Sequence, residues 1–105
     1  MITVKLFRTD GAITEVRASG HSGYAEYGND IVCAAVSTLV QTACLAITEL
    51  IGDIPYKTDE KNALFAFSIP KVSDRHDIDV ILNAMLAGLK NLSSGYPQNI
   101  KLEEV

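Results

Sequence analysis

A histidine and a cysteine twelve residues apart, His21 and Cys33, are the residues of this chain best suited to chemistry. A glycine-studded segment joins them, and Cys33 falls in the first turn of a predicted helix that follows Asp30. A thiol is nucleophilic only as thiolate, which a helix N-terminus and a nearby imidazolium both favour. His21 would then serve as general base and later as acid, with helix-start N–H groups holding the oxyanion. The pair predicts a cysteine hydrolase.

Both cysteines also fit a purely structural role, because free cysteine is among the most buried residue types. Cys44, eleven positions after Cys33 on the same predicted helix, is assigned to core packing. On an α-helix this spacing separates the two residues by roughly 16 Å, whereas a disulfide requires less than about 7 Å. The cysteines therefore predict a reduced, cytoplasmic protein.

Asp30 and Ser37 are candidate supporting residues, and each has an alternative role. As N-cap, Asp30 would direct its carboxylate at the first-turn N–H groups, where its charge disfavours a thiolate. As a third catalytic member it would instead orient the imidazole of His21; the cap is the favoured interpretation. Ser37 lies one turn beyond Cys33 and could donate to the sulfur or to an oxyanion, with a bond back to the carbonyl of Cys33 as the default.

The segment between His21 and the predicted helix is the candidate substrate loop. Its glycines could hinge a lid over the cysteine or belong to an ordinary flexible loop. Its tyrosines could line a substrate groove or only anchor the loop. The candidate substrate-loop residues are Gly20, Gly23, Tyr24, Tyr27 and Gly28.

No metal or cofactor is expected. The cysteines and histidines lack the close pairing that zinc requires, and no phosphate-binding glycine loop is present. The second histidine, His76, is explained by helix capping and solvent contact.

Composition predicts one domain covering residues 1–105, with 48% apolar residues and a net charge of −4. No run of lysine or arginine forms a basic face, so nucleic-acid binding is not expected. The start, Met1–Lys5, lacks the pattern of a signal peptide. The apolar stretch over residues 31–51 is interrupted by polar residues, which argues against a membrane span.

Hydrophobic periodicity and turn signals predict an α+β fold of order ββαββαβ, a mixed, largely antiparallel sheet with two long helices on one face. Both helices are apolar nearly all the way round, which predicts pairing with a second copy. The first helix is capped by Asp30 and ends at Ile51 before Gly52; the second is capped by Ser73 or Asp74 and stops near Ser94 and Gly95. The predicted strands are Ile2–Phe7, Ala12–Ser19, Pro55–Thr58, Ala63–Ile69 and Asn99–Glu103.

The stretch Gly20-His21, a spacer, and then Gly-Asn-Asp-Ile-Val-Cys-Ala-Ala-Val-Ser over residues 28–37 resembles the signature of the ribosomal-processing cysteine proteases, the Prp family. The resemblance covers essentially the whole chain. It implies a homodimeric cysteine endopeptidase that removes the short N-terminal extension of large-subunit ribosomal protein number twenty-seven during ribosome assembly. It also implies catalysis by Cys33 and His21, whereas Asp30 and Ser37 match positions with less settled roles.

Two other classes of protein remain open on the residues alone. One is a non-enzymatic ribosome-associated peptide-binding module, in which Cys33 is only packed. The other is a thiol redox sensor. A protease is expected to bind an extended, partly apolar peptide segment of its substrate. The acidic surface of the protease would tolerate a cationic charge on the rest of that substrate.

Overall fold

In the computed structural model of the protein, residues 1–21 and 30–105 are described. The elements follow the order ββαββαβ, which confirms the predicted α+β class and element order. The strands are β1 (Ile2–Thr9), β2 (Ala12–Ser19), β3 (Tyr56–Asp59), β4 (Leu64–Ser68) and β5 (Ile100–Glu104), and the helices are α1 (Ile31–Ile51) and α2 (His76–Gly95).

The five strands form one mixed sheet in the order β3-β4-β2-β1-β5. All neighbours are antiparallel except β5, which runs parallel to β1. β1 and β2 form a hairpin whose turn is made by Asp10 and Gly11, with φ of 53° and 84°. Positive φ at both turn residues matches the right-handed twist of the strands, which explains the Asp-Gly pair.

One face of the sheet carries the core, because side chains alternate along each strand. On β1, the side chains of Ile2, Val4 and Leu6 are buried. At the surface, β2 carries the ion pair Glu15–Arg17, and β5 carries the ion pair Lys101–Glu103. Both helices pack against the buried face through apolar stripes. These stripes are Val32, Val36, Val40, Ala43, Cys44 and Ile47 on α1, and Ile78, Leu82, Met85, Leu86 and Leu89 on α2.

Helix α1 is the longer and the more apolar of the two helices in the described residues. Its best 18-residue window has a mean hydropathy of 1.9, so by length and composition it could cross a membrane. By this measure its polar residues do not exclude a membrane span, and the expectation that α1 is not one stays a prediction. In the structure, 33% of that window is buried inside the domain, where it completes the core. Leu45 and Leu50 of α1 remain exposed.

The start of α2 differs from the sequence prediction. Arg75, rather than Asp74, occupies the N-cap position, and its side chain makes no cap hydrogen bond. The Asp74 carboxylate instead accepts from the backbone N–H of His76 at 3.0 Å. The Arg75 guanidinium donates to the carbonyl of Ile13 at 2.8 Å and to Asp79 at 2.9 Å. A contact with β2 thus anchors this helix start, and short-range sequence signals do not report it.

Candidate active site

A cleft of about 370 Å³ lies beside the N-terminal half of α1. His21, just after β2, and Cys33, on α1, both line it. Another wall comes from β3, β4 and their connection, because these strands continue the sheet beyond β2. The apolar lining residues are Ile2, Ala18, Val36, Val40, Ala63, Leu64 and Phe65. The fold therefore brings the predicted histidine and cysteine to one cavity that has both apolar and polar walls.

The two cysteines have different environments. Cys33 is the third residue of α1 and is partly exposed to the cleft, near the positive end of the helix dipole. Cys44 is buried in the core, as predicted. Burial raises the pKa of the Cys44 thiol, and a hydrogen bond with Thr48 opposes the rise only in part. Cys44 therefore stays protonated and shielded in the folded protein.

This contrast predicts selective alkylation by iodoacetamide. The folded protein is expected to take up one equivalent, at Cys33, and the urea-unfolded protein two. Peptide mapping by mass spectrometry identifies the modified residue. Equal labelling of Cys44 under native conditions would contradict the assignment, and a Cys44→Ala variant that still takes up one equivalent is the control.

Asp30 occupies the N-cap of α1. Its Oδ1 accepts from the backbone N–H groups of Val32 at 2.9 Å and Cys33 at 3.0 Å, and the residue is only 7% exposed. Of the two alternatives for Asp30, the structure shows the cap. The N–H of Ala34 donates to the Asp30 carbonyl at 3.1 Å. The N–H groups of residues 32–34 therefore all donate hydrogen bonds within the cap. They are not available to an oxyanion, which differs from the sequence prediction that helix-start N–H groups hold it.

Asp30→Ala is expected to lower the free energy of unfolding by about 1 kcal/mol, the usual cost of removing an N-cap acceptor. Asp30→Asn keeps an acceptor oxygen at the same position and should recover most of that loss. Urea unfolding measures both variants. A role limited to capping also requires Asp30→Asn to retain peptidase activity, and a large loss of activity in a stable Asn variant would instead indicate that the charge acts on the imidazole.

Ser37 lies one turn after Cys33 and lines the cleft. Thr38 and Thr48 hydrogen-bond back to the carbonyls of Ala34 and Cys44, at 2.8 and 2.9 Å. Within residues 1–21 and 30–105, the Ser37 hydroxyl makes no such bond. The default role predicted for Ser37 is therefore not the one observed, and its hydroxyl lies at the cleft surface.

Among the residues predicted for the substrate loop, the structure describes Gly20. Close packing of the backbone explains why a glycine occupies this position. Its φ is +89°, and a Cβ built on it would lie 2.7 Å from the carbonyl oxygen of Met1. The backbone thus passes against the chain start in a conformation that glycine adopts readily. This geometry directs the chain from β2 to His21. The other residues predicted for the loop lie outside the described residues; they are Gly23, Tyr24, Tyr27 and Gly28.

Gly20→Ala is expected to lower the free energy of unfolding by about 2 kcal/mol, from unfavourable positive φ and the clash with a backbone oxygen. Gly95→Ala is the matched control, because no described atom outside its own helical turn lies within 4 Å of a Cβ there. Since Gly95 ends α2, alanine should be neutral or slightly stabilising at that position. Urea denaturation compares the two variants, and equal stabilities would contradict the packing role of Gly20.

Several residues of the cleft were not identified from the sequence. Gln41 follows Cys33 by two helical turns, so helix periodicity could have pointed to it. Thr58 and Phe65 belong to strands remote in sequence from both His21 and Cys33. No local signal places them in the cleft, because only strand pairing brings them there.

A cysteine at a helix N-terminus and a histidine in the same peptide-sized cleft are the parts that a cysteine hydrolase requires. Residues 1–101 match the family model described as cysteine protease Prp. The chain therefore belongs to the cysteine protease Prp family, which confirms the resemblance seen in the sequence.

The relatives are similar over the whole chain. The ribosomal processing cysteine protease Prp of Staphylococcus aureus is 36% identical over 104 residues, covering 97% of each chain. The crystal structure of the essential S. aureus ribosomal processing protease Prp with a covalently linked product peptide matches with a TM-score of 0.90 and 31% identity. Its complex with a substrate peptide matches with a TM-score of 0.82 and 31% identity. Both matches cover 100% of each chain.

Proposed function

We propose that this protein is a cysteine endopeptidase that removes the N-terminal extension of large-subunit ribosomal protein number twenty-seven during ribosome assembly. The observation that carries the proposal is the single cleft lined by both His21 and Cys33. Relatives named ribosomal processing proteases support the substrate class, and so does the substrate peptide held by the S. aureus protein.

In the proposed mechanism, His21 accepts the proton of the Cys33 thiol. The thiolate attacks the scissile carbonyl carbon, and the carbonyl electrons move to oxygen. The tetrahedral intermediate collapses, the C–N bond breaks, and the leaving amine takes the proton from His21. Water, deprotonated by His21, then attacks the thioester, and Cys33 leaves with a proton to restore the free enzyme.

The Ser37 hydroxyl is the proposed oxyanion donor. The N–H groups of Val32 and Cys33 already donate to Asp30, and within the part of the chain that the structure describes the Ser37 hydroxyl is not used in a back bond. Side chains on an α-helix point toward its N-terminus, so Ser37 extends over the turn that carries Cys33. Asp30 holds that turn in place by capping it.

Incubating the purified protein with the extended ribosomal protein tests the proposal. Mass spectrometry is expected to show one new N-terminus and a released peptide of matching mass. The same ribosomal protein made without its extension should remain intact. Tight peptide binding with no cleavage, by a protein whose Cys33 remains alkylatable, would instead support the peptide-binding module.

The homodimer and the cytoplasmic location belong to the same proposal. Large apolar side chains remain exposed on both helices: Leu45 of α1 is 65% exposed, and Val80 of α2 is 55% exposed. Covering them with a second copy would remove apolar area from water. Sedimentation equilibrium should give twice the chain mass, 11.3 kDa, and cell fractionation should place the protein with cytoplasmic ribosome precursors.

A further inference from the structure

A line of polar side chains runs along α1 at the edge of the cleft. Cys33, Ser37 and Gln41 recur every four residues, and all three line the cavity. The buried side chains of Val36 and Val40 line the same cavity from positions between them. The cleft therefore has polar groups along its α1 edge and apolar groups deeper inside, an arrangement suited to an extended peptide lying along the helix.

Gln41 is the member of this line without a role in the proposed chemistry. It is exposed, and within the described residues its carboxamide has no hydrogen-bond partner in the protein. A carboxamide carries two donors and an acceptor, the same groups that a peptide main chain presents. Gln41 can therefore both donate to a peptide carbonyl and accept from a peptide N–H.

The distance between Gln41 and Cys33 follows from helix geometry. Eight residues of α-helix advance about 12 Å, and an extended peptide advances about 3.3 Å per residue. We propose that Gln41 binds the main chain of the substrate three or four residues from the scissile bond. This inference rests on the proposed function and adds a substrate-binding residue to it. Gln41 would thereby favour substrates that extend at least three residues from the scissile bond, whatever side chain lies at that position.

Nested synthetic peptides covering the extension and cleavage site of ribosomal protein number twenty-seven test this role. With full-length peptide, Gln41→Ala is expected to lower kcat/KM about fivefold, the effect of one neutral hydrogen bond. The change should appear in KM, since Gln41 lies far from the reacting carbonyl. The peptides are then shortened from each end in turn. In one of the two series, Gln41→Ala should no longer lower kcat/KM once fewer than three residues remain between the shortened end and the scissile bond. Gln98→Ala, exposed and outside the cleft, should match the unsubstituted protein at every length.

A loss that is equal for all peptide lengths, or no loss at all, would overturn the role of Gln41. Binding of the same fluorescent peptides to Cys33→Ala protein, with and without Gln41→Ala, separates this outcome from failure of the proposed mechanism. Cleavage by the Cys33→Ala protein would contradict the mechanism alone. A length-dependent affinity difference in that background would still support Gln41, and its absence would refute it.

Discussion

Cys33→Ala is expected to abolish cleavage of the extended ribosomal protein while leaving the fold intact. Without the sulfur no acyl-enzyme forms, and loss of a catalytic nucleophile lowers kcat on the order of 10⁵-fold or more. Cys33 is only partly buried at the cleft, so truncation should change the free energy of unfolding by less than about 1 kcal/mol. Cleavage is followed by mass spectrometry and stability by urea denaturation.

Cys44→Ala is the matched control for this experiment. Cys44 lies on the same helix but in the core, so its loss should lower stability by about 1 kcal/mol and leave kcat unchanged. The two variants should therefore show opposite effects. Cys33→Ala loses activity and keeps its stability, whereas Cys44→Ala loses stability and keeps its activity. Processing at the normal rate by a freshly purified Cys33→Ala protein would rule out this residue as the nucleophile.

His21→Ala should lower kcat by about 10³-fold, within the range that a lost general base produces. It should also slow alkylation of Cys33 by iodoacetamide at neutral pH, because the imidazole no longer accepts the thiol proton. His21 is exposed, so the stability of the variant should stay within about 0.5 kcal/mol of the original. Stopped-flow alkylation and peptide cleavage assays measure the two effects.

His76→Ala provides the comparison, since this second histidine is exposed at the start of α2 and does not line the cleft. In the His76→Ala variant, the rate of Cys33 alkylation and the rate of peptide cleavage should both remain unchanged. If His21→Ala alkylates as fast as the original protein, Cys33 and His21 do not act as a thiolate–imidazolium pair. The base for the reaction would then have to be another group of the cleft.

Local signals were sufficient for much of the fold. The alternation of Ile2, Val4 and Leu6 predicted a half-buried strand, and these residues are buried on one face. Asp30 and Gly52 predicted both ends of α1, because a cap acts within a single turn. The start of α2 was predicted less well, since the contact of Arg75 with β2 crosses from one element to another.

The sequence by itself determined which residues could react, because the chemistry of Cys33 and His21 depends on residue type and on a nearby helix start. Only the tertiary structure shows that Asp30 caps α1, that β5 pairs in parallel with β1, and that Phe65 lines the cleft. The physical reason is range. Capping and periodicity act over a few residues, whereas strand order and cavity walls depend on which distant apolar faces can be buried together.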